Sequence, residues 1–153
     1  MKPSLALATL LLLFVFVSCG DSAERAVVRV LDAREKAFET RDVSLYRSLI
    51  APDYKVRRKG KVEGAEDVIR RFQGLMAFFD DVSVDYSDRV VTVEGRRARV
   101  VQKAHVSVSM YEEGIESSFE VREVLELRNL DGRWYISREA PRDLAEGFVF
   151  GDM

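Results

Sequence analysis

The sequence predicts an α+β fold, with helices in the first half and an antiparallel sheet in the second. Two observations carry this. As far as Phe79 the apolar residues recur at i, i+3, i+4 spacing, and after Asp81 the period switches to two. A third is the placing of turn signals between the period-two stretches, at Glu94-Gly95, Glu113-Gly114 and Asp131-Gly132.

In order, Val27, Val30, Leu31, Ala37 and Phe38 mark a helix from Glu24 to about Thr40, free of Pro and Gly. Asp42 is placed to cap a short helix over Val43 to Ile50, which Pro52 stops. "YKVRRKGKVEG" reads as a small hairpin turning near Gly60. Ala65 to Phe79 is the third helix, with Glu66 and Asp67 in the first turn, where the helix dipole favours acids. Then come "VSVDYS" with "RVVTVEG", "ARVVQKAHVSVSM", "IESSFEVREVLELRNL" and "RWYISRE" as long strands.

The N-terminus gives a cellular address. Lys2 precedes an uncharged apolar run from Leu5 to Val17, too short to span a bilayer comfortably, and the small residue Ser18 ends it, so residues 1–18 read as a secretory signal. The sole cysteine, Cys19, follows in "FVSCG", which resembles the lipobox of bacterial lipoproteins, although Phe16 stands where that family usually has Leu. The resemblance implies cleavage before Cys19 and acylation there, with the membrane as a partner and several acyl chains to hold it. Gly20 rather than Asp follows the cysteine, which in such lipoproteins favours the outer membrane, facing the periplasm. One thiol makes no internal disulfide, so an anchor is its obvious use. The expected organisation is a signal over 1–18, an anchor and short linker over 19–23, one domain over 24–140 and a tail over 141–153.

Removing residues 1–18 takes away Lys2 and no acid, so the formal charge moves from -2 to -3. That balance argues against nucleic acid as a partner. The run "KVRRKGK", Lys55 to Lys61, reads as a solvated hairpin. No cofactor is expected, and with a single histidine, His105, and no cysteine pair, no transition-metal site either.

The stretches "AFETRDVSLYRSLIAPDY", "VEGAEDVIRRF" and "LRNLDGRWYISR" resemble the NTF2-like, or SnoaL-like, superfamily over about Glu24 to Ala140. The resemblance implies a cone of curved sheet closed by three helices around a pocket. It specifies no single activity, since that superfamily holds isomerases, dehydratases, cyclases and binding modules.

One strand carries an anomaly. In "FEVREVLEL" the residues Phe119, Val121, Leu125 and Leu127 share a face that Glu123 interrupts. Two-residue turns place Phe119 opposite Val108, Glu123 opposite Ala104 and Leu125 opposite Arg138, so Glu123 lies diagonally from Gln102 and Arg138. An unpaired buried charge costs several kcal/mol, so Glu123 and Arg138 are expected to pair or to face a wet cavity. The expected pocket comprises Gln102, Glu123, Arg138, Tyr86 and Trp134. Its leading reading is a non-catalytic module for a small amphipathic ligand or a protein partner. Beside it stand an isomerase or dehydratase using Glu123 with Tyr54 or Tyr86, and a structural protein that homodimerises through the sheet.

Overall fold

The computed structural model describes residues 17–140 apart from 59 and 113. Of the signal expected over 1–18, residues 1–16 lie outside the described residues, as does the tail over 141–153. Among the described residues three helices and six strands follow in the expected order: α1 (Val17–Glu39), α2 (Val43–Leu49), β1 (Lys55–Arg58), β2 (Lys61–Gly64), α3 (Ala65–Phe78), β3 (Asp81–Glu94), β4 (Arg97–Met110), β5 (Ile115–Leu130) and β6 (Arg133–Ala140).

Each helix forms for a local reason. Along α1, Val27, Leu31, Arg34 and Phe38 follow one another at helical spacing, and all four are buried. The chain then reverses at Arg41, which has φ 57°, and Asp42 caps α2 by accepting from the Leu45 N–H at 2.8 Å. Asp67 closes the start of α3 by accepting from the Gly64 N–H at 3.0 Å. Its far end is satisfied by Arg41, whose guanidinium donates to the carbonyls of Met76, Phe79 and Asp80. Tyr46 of α2 stacks on Phe72 of α3 at 4.1 Å between centroids, with Phe38 edge-on to both, so three aromatic rings join the three helices.

The sheet is antiparallel, in the order β3-β4-β5-β6, and β1 pairs only with β2 in a separate two-stranded sheet. The expected curved cone is therefore corrected. Four strands in linear order leave β3 and β6 at the outer positions with no pairing between them, so the sheet is open and does not close on itself. Residues after α2 run against β6, with an Ile50–Ile136 bridge and an Ala51 N–H bond of 2.8 Å to the Ile136 carbonyl. The inner face carries Val82, Val84, Val100, Val106, Leu125, Leu127 and Ile136 into the core beneath the helices.

Two registers differ from expectation. Between β4 and β5 the connection occupies residues 111–114, so Val106 faces Phe119, Ala104 faces Val121 and Gln102 faces Glu123 directly. A slip of two residues leaves every side chain on its expected face, because strand side chains alternate with period two. Between β5 and β6 the Asp131-Gly132 turn forms as expected, with φ 51° and 88°, and Leu127 faces Ile136. Beyond it a bulge intervenes, so Glu126 faces Arg138 and Leu125 faces Glu139. One extra residue exchanges the faces of everything after it.

Candidate functional site

The bulge decides which charge of β6 enters the core. Arg138 points outward, half exposed, and pairs with Glu126 at 3.6 Å. Its expected place beside Glu123 is corrected, because simple alternation from Ile136 misses the extra residue in the strand. Glu139 takes the inward position and is 1% exposed.

The partner of Glu123 is instead Arg34 of α1. Arg34 Nη1 donates to Glu123 Oε1 at 3.0 Å and Nη2 to Oε2 at 3.3 Å, a fork-to-fork pair buried on both sides. Nη2 also lies 3.1 Å from Glu139 Oε1, and Nη1 donates to the Tyr86 hydroxyl at 2.8 Å. Gln102 Nε2 donates to Glu123 Oε1 at 2.5 Å, and the Tyr46 hydroxyl lies 3.5 Å from Glu139 Oε1. Among the described residues one guanidinium thus meets two carboxylates in the core, and the cluster holds one more acid than base.

Electrostatics follow from this enclosure. Burial pulls the Arg34 pKa down, but the Glu123 and Glu139 carboxylates, with the neutral Tyr86 oxygen as a further acceptor, outweigh it and leave the guanidinium more firmly protonated than usual. Burial drives the Tyr86 hydroxyl well above the ordinary tyrosine range, against the opposing pull of Arg34, so Tyr86 is a neutral donor throughout the physiological range.

A second arginine links this core to the surface. Arg89 Nε donates to Gln102 Oε1 at 2.8 Å, its guanidinium meets Asp32 at 3.0 Å and Glu35 at 3.7 Å, and it stands over the Tyr86 ring. It owes this position to an irregularity between Ser87 and Val90 in β3, where Asp88 has φ 52°. The sheet therefore has two bulges, and each aims a charged side chain at the same network.

Of the expected pocket, the structure brings together Gln102, Glu123 and Tyr86. Trp134 is buried but sits opposite Asn129, six residues along β5 from Glu123 and about 20 Å away by strand rise. Tyr54 is also buried, in the core after α2, whereas Tyr86 is the tyrosine whose hydroxyl meets Arg34. His105 is exposed on the outer face. Sequence reasoning missed Arg34 and Glu139. Arg34 had a signal, since it falls on the apolar stripe between Leu31 and Phe38, a helical counterpart of Glu123 in its strand. Glu139 had none, because only the bulge brings it inward.

The sequence profile of the SnoaL-like domain matches residues 27–139, which spans both arginines, both glutamates and all of the four-stranded sheet but its last residue. The chain belongs to the SnoaL-like domain family. No curated protein matches it. Among solved structures, the SnoaL-like domain is similar to a candidate dehydratase of the NTF2-like family from Streptomyces avermitilis, at 20% identity, covering 78% of this chain and 94% of that one, with a TM-score of 0.67. It is also similar to a candidate ketosteroid isomerase from Shewanella frigidimarina, at 21% identity, 74% and 92% coverage and a TM-score of 0.63. A third is a hexachlorocyclohexane dehydrochlorinase, at 12% identity, 80% and 86% coverage and a TM-score of 0.68. Identities this low establish a common fold. The expectation of a domain without catalysis is corrected here, because the fold's solved examples include proteins named as enzymes and the core of this chain holds an acid-base cluster that packing alone does not require. Among the described residues no helix is long and apolar enough to cross a membrane.

Proposed function

We propose that the SnoaL-like domain is an enzyme of the isomerase or dehydratase type, acting by proton transfer on a small amphipathic substrate. The single observation that carries this reading is the cluster of buried Arg34, Glu123, Glu139 and Gln102 with the partly buried Tyr86. Replacing a buried ion pair by apolar residues is often neutral or stabilising, so a fold has no need of such a group for packing.

In this reading Glu123 takes a proton from a carbon next to a carbonyl. The carbonyl oxygen becomes an enolate oxygen and accepts the Tyr86 hydroxyl proton in a hydrogen bond. Tyr86 is suited to this, since its oxygen already accepts from Arg34 and its own proton remains to be donated. Return of the proton to a different carbon completes an isomerisation. Departure of a β-hydroxyl group, leaving as water with that proton, completes a dehydration. Arg34 and Gln102 hold the carboxylate in place, and the apolar sheet residues around them suit the rest of a small amphipathic molecule. Glu123 is 1% exposed, so in this reading substrate entry parts the helices from the sheet, and Arg89 bridges β3 to Asp32 and Glu35 of α1 at one such seam.

The same reading places the enzyme in the bacterial envelope, exported, cut before Cys19 and held on the outer membrane facing the periplasm by its acylated N-terminus. Residues 19–23 join the anchor to a catalytic domain over 24–140, followed by a tail over 141–153. The "FVSCG" stretch supports this. A Cys19→Ala protein is expected to leave the membrane fraction, and full retention through an acylated N-terminus would reject the anchor.

Both reaction types pass through an enolate and so share one readout. A panel of cyclic enones and β-hydroxyketones is incubated with the protein in deuterated water, and deuterium at the carbon next to the carbonyl is followed by NMR. Incorporation by the unmodified protein and its loss in a folded Glu123→Gln variant are expected. Equal incorporation by both proteins would sink Glu123 as the base.

A further inference from the structure

The outer face of the sheet, away from the helices, is charged unevenly. At the end near Gly95 and Asp131 it holds a groove of about 650 Å³. Five cations line it, Lys55, Arg97, Arg99, Arg128 and Arg138, against three acids, an excess of two positive charges on a chain whose formal charge is -2. The far end of the same face carries Asp81, Asp85, Glu116 and Glu120.

Two features separate the basic end from an ordinary solvated surface. Arg97 and Arg128 are direct cross-strand partners, an arrangement of like charges that opposes sheet pairing. Two cations have their own acids, Arg128 with Asp53 at 2.8 Å and Arg138 with Glu126 at 3.6 Å. Among the described residues Lys55, Arg97 and Arg99 have no ion-pair partner. An anion lying between Arg97, Arg99 and Arg128 would relieve the repulsion, and the guanidinium fork matches the spacing of phosphate oxygens. The concave walls strengthen the field at that point.

The course of α1 adds an independent observation. Arg41 bonds Asp80, Arg34 bonds Tyr86 and Asp32 bonds Arg89, so α1 runs antiparallel to β3. From Asp32 back to residue 19 is about 20 Å of helix, and from Arg89 forward to Glu94 is about 17 Å of strand. The N-terminal end of the described chain therefore reaches the same end of the molecule as the basic groove.

We propose that this groove is a binding site for a phosphate-bearing anion, either a lipid headgroup or a free phosphate ester. The headgroup source rests on the membrane anchor; the free-phosphate source does not. Neither depends on catalysis at Glu123.

The test uses the full chain carrying Cys19→Ser, so that no acyl chain contributes. One arm titrates inorganic phosphate and follows the arginine side-chain and backbone NMR signals. The other measures co-sedimentation with phosphatidylcholine vesicles, with and without phosphatidylglycerol. Saturable shifts confined to Arg97, Arg99, Arg128 and their neighbours are expected. They should weaken at least tenfold when Arg97→Ser and Arg99→Ser are combined, and stay unchanged in Arg122→Ser, a charge removed from the same face outside the groove. Sedimentation only with phosphatidylglycerol and lost with the same two arginines supports the headgroup source, and phosphate shifts without it support the free ester. No arginine-dependent binding in either arm overturns the proposal. Shifts over the whole outer face together with a doubled mass also overturn it, since the face is then a contact between copies of this chain.

Discussion

Glu123 and Glu126 lie three residues apart on β5, and each faces an arginine. Glu123 meets Arg34 at 3.0 Å with both side chains almost wholly buried, while Glu126 meets Arg138 at 3.6 Å with both about half exposed. The residue types are the same and the environments opposite. In water the attraction is screened and offset by side-chain entropy, so the outer pair contributes about 0–1 kcal/mol. In the core neither charge has water to fall back on, and breaking the pair strands the survivor. A burden of that size on a small domain is what directs attention to the inner pair for function and away from the outer one.

Several variants sharpen or break this contrast. The largest loss is expected from Arg34→Met, which leaves Glu123 and Glu139 buried without their cation. It should cost about 3–5 kcal/mol in urea unfolding. A loss below about 1 kcal/mol would mean that water reaches the cluster and that its burial is not what it looks like. Next comes Glu123→Gln, which keeps shape and one hydrogen-bond acceptor but removes the charge facing Arg34. About 2 kcal/mol should be lost while the circular dichroism spectrum is retained. Tyr86→Phe follows at about 1.5 kcal/mol, through loss of the hydroxyl that accepts from Arg34. Glu126→Gln should change stability by less than about 0.5 kcal/mol, and less still in high salt. A double-mutant cycle on each pair completes the test, and equal coupling energies would end the comparison.

The smallest effect is one of pH. Burial lifts the Glu35 carboxyl above the usual carboxylate range, opposed by Arg89. The folded state then holds that proton more tightly than the unfolded chain does. Its penalty is present above the folded pKa and is relieved as pH falls through it. Glu35→Gln should therefore raise stability by about a few tenths of a kcal/mol near neutral pH and make no difference in acid. A gain that persists in acid would point to packing instead.

How much of this was legible beforehand depends on the range of the information. Helix spans followed from local periodicity, and the second and third helices end within a residue of expectation. Strand faces on β4 and β5 survived a mistaken loop length because a slip of two preserves them. The same logic failed on β6, where a bulge is a slip of one. The anomaly at Glu123 was visible as a carboxylate in an apolar row, and Arg34 showed the same anomaly in helical spacing without being read that way.

By itself the sequence determined the order and type of the elements, the family of the domain and the fact that Glu123 faces inward. These rest on contacts between neighbours in the chain, where period and turn chemistry act directly. Tertiary structure alone decided that Glu123 pairs with Arg34 rather than Arg138, that Glu139 joins them, and that the sheet stays open. Those outcomes join residues far apart in the chain, Arg34 to Glu123 across 89 positions and Arg34 to Glu139 across more still, and one inserted residue in β6 selects between two arginines. Strand alternation states which face a residue takes only as long as the count is unbroken, and packing of the sheet against α1 is what sets the count.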